Sequence, residues 1–296
     1  CGRISHPRTW TRRSGSTGGA TAASVVAGRF AASALTSRLV VAVPGVIVAV
    51  LVVAAGGPLF ALVLAAIAVL GLYELYSLLA ATRPLRWAGY LGTLCLIGLA
   101  WAMDDPEHGI LLGLGLSLGF AAVAGLILPR RDDITVRVAT TLLGVVYLGL
   151  PLALLVSMRE LPHGAGAVVC VLVGVWIFDT ASYVGGRLWG RRPIAPLTSP
   201  KKTVEGAAVG LVVATFAVWV AGLYMDWIDG WQALVLGLAI CPAAFLGDLF
   251  ESMIKRDAGA KDSGRLLMGH GGVLDRFDAL LFGGTAAYFV LIWLVF

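Results

Sequence analysis

Asp248, Glu251 and Lys255 stand at i, i+3 and i+7, a spacing that puts two carboxylates and an ammonium group on one helical face. Further on, "GHGGVLDRFD" (269–278) sets Asp275 and Asp278 three apart, just after His270, Gly271 and Gly272. Consecutive glycines let backbone N–H groups converge on an anion, and a helix start just after them strengthens such a site. Upstream, "LTSPKK" (197–202) offers Ser199, Lys201 and Lys202, and Asp179 lies near the end of an apolar run. Carboxylates hold Mg²⁺ together with substrate phosphates, while lysines and arginines neutralise phosphoryl oxygens. The set therefore suits phosphoryl or nucleotidyl transfer, without naming a substrate. Each part also has a plainer use. Asp248 and Lys255 can form an internal salt bridge, Asp275 and Asp278 can cap a helix and complement its dipole, and His270 can simply be solvated.

The elements that must position these groups are apolar helices. The chain is 59% hydrophobic and 13% charged over 296 residues, with a mean hydropathy of +0.90. A soluble domain carries about a quarter charged residues, so the deficit points to a bilayer. Runs long enough to span fall near 39–55, 58–80, 87–103, 109–128, 138–158, 164–186, 206–225, 230–250 and 279–296. Their length, and the lack of in/out alternation, predicts an all-α polytopic membrane protein of about nine helices rather than a barrel. Gly56, Gly57 and Pro58 split what is otherwise one run, so eight spans is the alternative. With nine spans and a cytoplasmic N-terminus, all of the 22 basic residues but Arg159 fall on the inner side. The outer loops are short and acidic, as in "DDPEH" (104–108) and "DWID" (226–229). The net charge of +5 is thereby a topological signal, and no nucleic-acid partner is expected. An acid-free, Arg-rich segment, 1–38, is expected to be a disordered cytoplasmic tail, with a targeting segment as the alternative. Cys95, Cys170 and Cys241 fall inside spans without metal-binding spacing. Small residues four apart, Gly206 with Gly210 and Gly115 with Gly119, suit close helix packing and leave a homodimer seam open.

The inner side has two long loops, 185–205 and 251–278, and all four lysines lie in or beside them. The second resembles the signature of the phosphatidate cytidylyltransferase (CDP-diglyceride synthetase) family. The resemblance is carried by Ser252, Ile254, Lys255, Arg256, Lys261, Asp262, Gly264, Leu267, His270, Gly271, Gly272, Val273, Asp275, Arg276, Phe277 and Asp278. Met268 departs from a usual Pro or Gly. "DTASYVGGRLWG" and "TSPKKTVEG" in the first loop are similar to the family too, with Ser182 for a more usual Ala and Val204 for a frequent Trp. The resemblance is strong over 176–280.

It implies the reaction of CTP with phosphatidate to give CDP-diacylglycerol and pyrophosphate, with Mg²⁺ or another divalent cation and room for a monovalent one. Asp248 and Asp275 are the first expected metal ligands, with Asp278 the next. Lys255, Arg256 and Lys261 are expected to neutralise the triphosphate or the lipid phosphate. Asp262, His270, Gly271, Gly272 and Arg276 complete the substrate contacts of the strip. Ser199, Lys201 and Lys202 would close the site from the first loop, with Asp179 positioning them or helping to bind cation. The expected organisation is a tail (1–38), N-terminal helices (39–163) and a catalytic region (164–296), in a bacterial plasma membrane with the site facing the cytoplasm. A polyprenol or phytol kinase using CTP is the nearest rival. A transporter would keep its polar residues at the midplane rather than at one face.

Overall fold

The computed structural model describes residues 45–129, 132–264 and 271–296. The basic tail, the start of the first expected span, and His270 lie outside the described residues. α1 (Gly45–Ala55) is a short apolar helix. Residues up to Val50 form one unit, and Leu51–Phe296, which carries every other element, forms the second.

α2 (Gly57–Leu78) begins where the apolar run was expected to split. Gly56 and Gly57 have φ of +61° and +52°, a backbone turn that favours glycine, and Pro58 follows in the first helical turn. α3 (Arg86–Ala102) and α4 (Pro106–Ile127) make a tight hairpin. Asp105 caps α4, accepting from the backbone N–H groups of Glu107 and His108. At 17 residues α3 is about 26 Å long, just short of a typical hydrocarbon core.

The next span is α5 (Ile134–Gly144), a wide turn over Val145–Gly149, and α6 (Leu150–Glu160). Pro151 has no N–H to give and its ring crowds the preceding turn, so the five-residue-wide turn beside it absorbs the fault. Every residue from Pro151 to Met158 is buried, which makes α6 the inner post of the bundle.

α7 (Gly164–Trp189), α8 (Val204–Gly222), α9 (Gly230–Asp257) and α10 (Leu274–Leu294) pack in sequence order, and α6 touches both α7 and α10. Among the described residues, seven helices are long and apolar enough to cross a membrane, counting α5 to α6 as one. The expectation of an all-α polytopic membrane protein holds. One feature was not foreseen. Within the first loop, β1 (Pro193–Ala195) pairs antiparallel with β2 (Ser199–Thr203). Glu205 on the first turn of α8 fixes the approach to this hairpin, its carboxylate accepting from the N–H groups of Arg191 and Arg192 at 2.9 and 3.2 Å.

The helices also run further than the apolar runs suggest. α7 continues to Trp189 and α9 to Asp257. At 26 and 28 residues they are about 39 and 42 Å long, well beyond a hydrocarbon core of roughly 30 Å. The loops between helices are correspondingly shorter than 185–205 and 251–278. The surplus turns gather at one end of the bundle, where the chain order also brings the hairpin and the start of α10.

Candidate active site

That end of the bundle holds the charged residues. On α9, Asp248 and Glu251 face Asp278 of α10, and one carboxylate oxygen from each lies within 4.8 Å of the others. Glu251 is 1% exposed and Asp278 8%. Oε2 of Glu251 meets Lys255, but its Oε1 is buried without a hydrogen-bond partner among the described residues. Asp278 Oδ1 accepts from the N–H of Ala279 at 2.8 Å.

Lys255 bridges two acids. Its Nζ lies 2.6 Å from Glu251 Oε2 and 2.6 Å from Asp275 Oδ1. The other oxygen of Asp275 accepts from Ser263 N–H at 3.1 Å, Ser263 O–H at 2.9 Å and Gly272 N–H at 2.9 Å. Asp275 is thus held by its own strip, whereas the preassembled carboxylate trio uses Glu251 beside Asp248 and Asp278. Gly271 has φ +84°, a turn that suits glycine and delivers the Gly272 N–H to Asp275.

From the other loop, Lys202 forms an ion pair with Asp248 and lies 5.2 Å from the Phe245 ring centroid. Lys202, Lys201, Ser199, Asp179 and Asp248 line one cleft of about 540 Å³, with Ser182, Tyr183 and Arg187 on its α7 wall. Arg256 donates to the carbonyls of Thr198 at 3.3 Å and Ala260 at 3.3 Å, and so ties the hairpin turn to the end of α9. Lys261 and Asp262 are exposed on the turn after α9, and Arg276 is exposed on the first turn of α10. The two loops, separate in sequence, therefore meet through Lys202–Asp248 and Arg256–Thr198.

Two residues of the N-terminal half reach this end without having been singled out in the sequence. Glu74 of α2, 2% exposed, accepts from the Leu274 N–H at 2.9 Å and lies 3.2 Å from Ser263 Oγ. A lone acid inside "LGLYELYSLL" was the available signal, since such residues are costly in a span. Tyr147 sits in the wide turn before α6, its ring packed edge-on at 5.1 Å from Phe250 and 6.2 Å from Phe282. Its hydroxyl is buried without a hydrogen-bond partner among the described residues. Nothing in the local sequence marks it.

A cleft walled by acids and lysines at the end of a membrane bundle can bind a phosphate-bearing ligand and a cation together. The known proteins that resemble the chain agree with that chemistry. The model of the cytidylyltransferase family matches residues 36–294. A phosphatidate cytidylyltransferase of Staphylococcus saprophyticus is 30% identical over 251 residues, covering 83% of this chain and 94% of that protein. Proteins of the same name from Helicobacter pylori and Mycobacterium bovis are 44% and 41% identical over 136 and 129 residues. Each of those matches covers 44% of this chain, and 50% and 42% of the respective relatives. With nearly its whole described length matched, the chain belongs to the cytidylyltransferase family.

Proposed function

We infer that the protein transfers the cytidylyl group of CTP to phosphatidate, giving CDP-diacylglycerol and pyrophosphate. Family membership and the relatives' name support this. The observation that carries it is a lysine hairpin that shares one cleft with Asp179 and Asp248 and is tied to the signature strip through Arg256. An oxygen of the lipid phosphate attacks the α-phosphorus of CTP. The new P–O bond forms as the bond from the α-phosphorus to the bridging oxygen breaks, and pyrophosphate leaves with that electron pair. The lipid phosphate is already an anion near neutral pH, so no protein nucleophile is needed. The chain's work is positioning and charge neutralisation. Lys202, Lys201 and Ser199 face the cleft from β2, and Lys255 approaches from α9 between Glu251 and Asp275. Arg256 secures the hairpin, while Lys261, His270, Gly271, Gly272, Asp262 and Arg276 belong to the strip that covers the nucleotide.

The residues fit a divalent cation. Three carboxylates converge within 4.8 Å, and a buried carboxylate oxygen without a partner, such as Glu251 Oε1, costs on the order of 1–3 kcal/mol or more if nothing binds it. Asp248, Glu251 and Asp278 would hold the ion, with Asp275 adjoining them through Lys255 as the fourth acid of the centre. When bound, Mg²⁺ supplies neutralisation of phosphate charge. Asp179, on the cleft wall, orients the lysines of β2.

The same reading puts the N-terminus and the site on the cytoplasmic side of a bacterial plasma membrane, where CTP is available and the lipid headgroup is presented. The basic loops support this orientation. Residues 164–296 form the catalytic region and 39–163 the helices it rests on. The test is an assay of purified, detergent-solubilised protein with phosphatidate, Mg²⁺ and CTP labelled at the α-phosphate. Label is expected in an organic-extractable CDP-lipid, with an equal amount of pyrophosphate. Asp248→Asn should lower the rate on the order of 10³-fold or more without changing the gel-filtration profile. No labelled lipid from folded protein, or transfer of γ-label instead, would overturn the assignment.

A further inference from the structure

Glu74 belongs to α2, on the far side of the sequence from the signature strip, and its carboxylate sits between Ser263, in the loop that follows α9, and Leu274, where α10 begins. Oε2 accepts from the N–H of Leu274, the first residue of α10, at 2.9 Å. That N–H is one of the donors a helix start leaves without an internal partner, and the positive end of the helix dipole favours an anion there. The same oxygen lies 3.2 Å from Ser263 Oγ. Ser263 in turn gives its N–H to Asp275 Oδ2, and its one hydroxyl proton is shared between Glu74 Oε2 and that same Asp275 oxygen, which lies 2.9 Å from Oγ.

The backbone is shaped around this carboxylate. A Cβ on Gly264 would stand 2.8 Å from Glu74 Cδ, and one on Gly272 would also stand 2.8 Å from it. Glycine at both positions is what lets the acid fit between them. The contacts form an unbroken line from Glu74 through Ser263 to Asp275, then through Lys255 to Glu251. A brace of apolar side chains would hold α2 against α10 without burying a carboxylate whose Oε1 has no hydrogen-bond partner among the described residues. The retained acid therefore needs a reason beyond packing.

We propose that Glu74 is a positioning residue for the transfer reaction, gripping the signature strip at Ser263 and Leu274 and so setting Asp275, and through it Lys255, in place. This rests on the cytidylyl-transfer assignment and extends the working parts of the enzyme into the N-terminal helices. Removal of partners that orient ligands at such a centre lowers activity about 10–100-fold. Glu74→Ala should lower kcat by that factor while KM for CTP changes by less than about threefold. Glu74→Gln keeps an oxygen acceptor for the Leu274 N–H and should recover part of the loss. Ser263→Ala cuts the line at its next link, so Glu74→Gln combined with Ser263→Ala should be no slower than the slower single variant.

Hydrogen exchange on the full-length protein supplies a readout independent of turnover. Glu74→Ala should speed exchange in peptides covering 272–278 and leave those of α8 unchanged. If Glu74→Ala fails to assemble, the Glu74→Gln and Ser263→Ala measurements stand in its place. Full kcat in these variants, strictly additive losses, or an exchange increase spread evenly over all helices would each overturn the proposal. Should the wild-type protein make no CDP-lipid, the assigned reaction falls, and exchange at 272–278 still decides whether Glu74 grips the loop.

Discussion

Lys202 on β2 and Asp248 on α9 form an ion pair across the mouth of the cleft. The side chains are 20% and 34% exposed as a whole, yet the Lys202 Nζ itself is buried, so Asp248 holds an ammonium that water does not reach. On the proposed reaction, the pair's value lies in placing a cation where phosphate oxygens would arrive. Lys201, next to Lys202 on the strand, also lines the cleft but is exposed and forms no ion pair among the described residues. Lys202→Ala should therefore lower kcat/KM by roughly 10²-fold, an amount typical of losing one preorganised charge, and Lys201→Ala only a few-fold. Initial rates against CTP concentration decide between them. Equal losses would mean that the hairpin acts as a general basic surface.

Deeper in, Lys255 and Glu251 behave differently. Glu251 is 1% exposed and Lys255 13%, and removal of one partner strands the other's charge away from water. Lys255→Met should cost on the order of 3–5 kcal/mol, and adding Glu251→Gln should restore part of it because the stranded charge goes too. Thermal melting in detergent reads both. Activity should not return in the double variant, since the acidic cluster beside the cleft would have lost both an ammonium and a carboxylate. A double variant that melts lower than Lys255→Met would show that Glu251 is held mainly by other groups.

Much of this centre was legible in the sequence because charge is conspicuous against apolar spans. Asp179, Asp248, Lys202 and the strip around Lys255 and Asp275 stand out for that reason, and the structure brings them to one end of the bundle. The spacing of Asp248, Glu251 and Lys255 also gave their shared face. What it did not give was the partner of each group. Asp275 turns to Ser263, Gly272 and Lys255, while Glu251 joins Asp248 and Asp278. That division depends on the angle between α9 and α10, which periodicity does not encode. Glu74 obeys the same rule about acids in spans as Asp179 and Asp248. Its distance along the chain kept it from being connected with them. The β1–β2 hairpin escaped because strands of three and five residues around Pro196 and Pro200 leave no alternating pattern.

The glycine pairs, alike in spacing, part company in the structure. A Cβ on Gly206 would come within 2.7 Å of the Ser182 carbonyl, and one on Gly210 within 2.9 Å of the Phe178 carbonyl, so α8 lies flush against α7. Among the described residues, Gly115 and Gly119 of α4 have nothing within 4 Å of such a Cβ. Gly210→Ala should lower the melting temperature by several degrees, as overpacking of roughly 1–3 kcal/mol implies. Gly115→Ala should leave it unchanged or slightly raised, since alanine is the better helix former. Because α7 and α8 form the wall of the cleft, Gly210→Ala should also reduce turnover, measured in the same labelled-CTP assay.

The orientation of the site can be tested at two exposed residues at opposite ends of α8. Leu197, 93% exposed, lies in the turn of the hairpin before that helix, and Tyr224, 86% exposed, lies just after it. Nineteen residues separate the faces by about 28 Å, close to a hydrocarbon thickness. In a background with the native cysteines replaced, Leu197→Cys should react with a membrane-impermeant maleimide only in inside-out vesicles. Tyr224→Cys should react only in right-side-out ones. This pattern would set the lysine hairpin against the cytoplasm, the side proposed from the distribution of basic residues. The reverse pattern would put the cleft on the face that CTP does not reach, and the assigned substrate would fall with the topology.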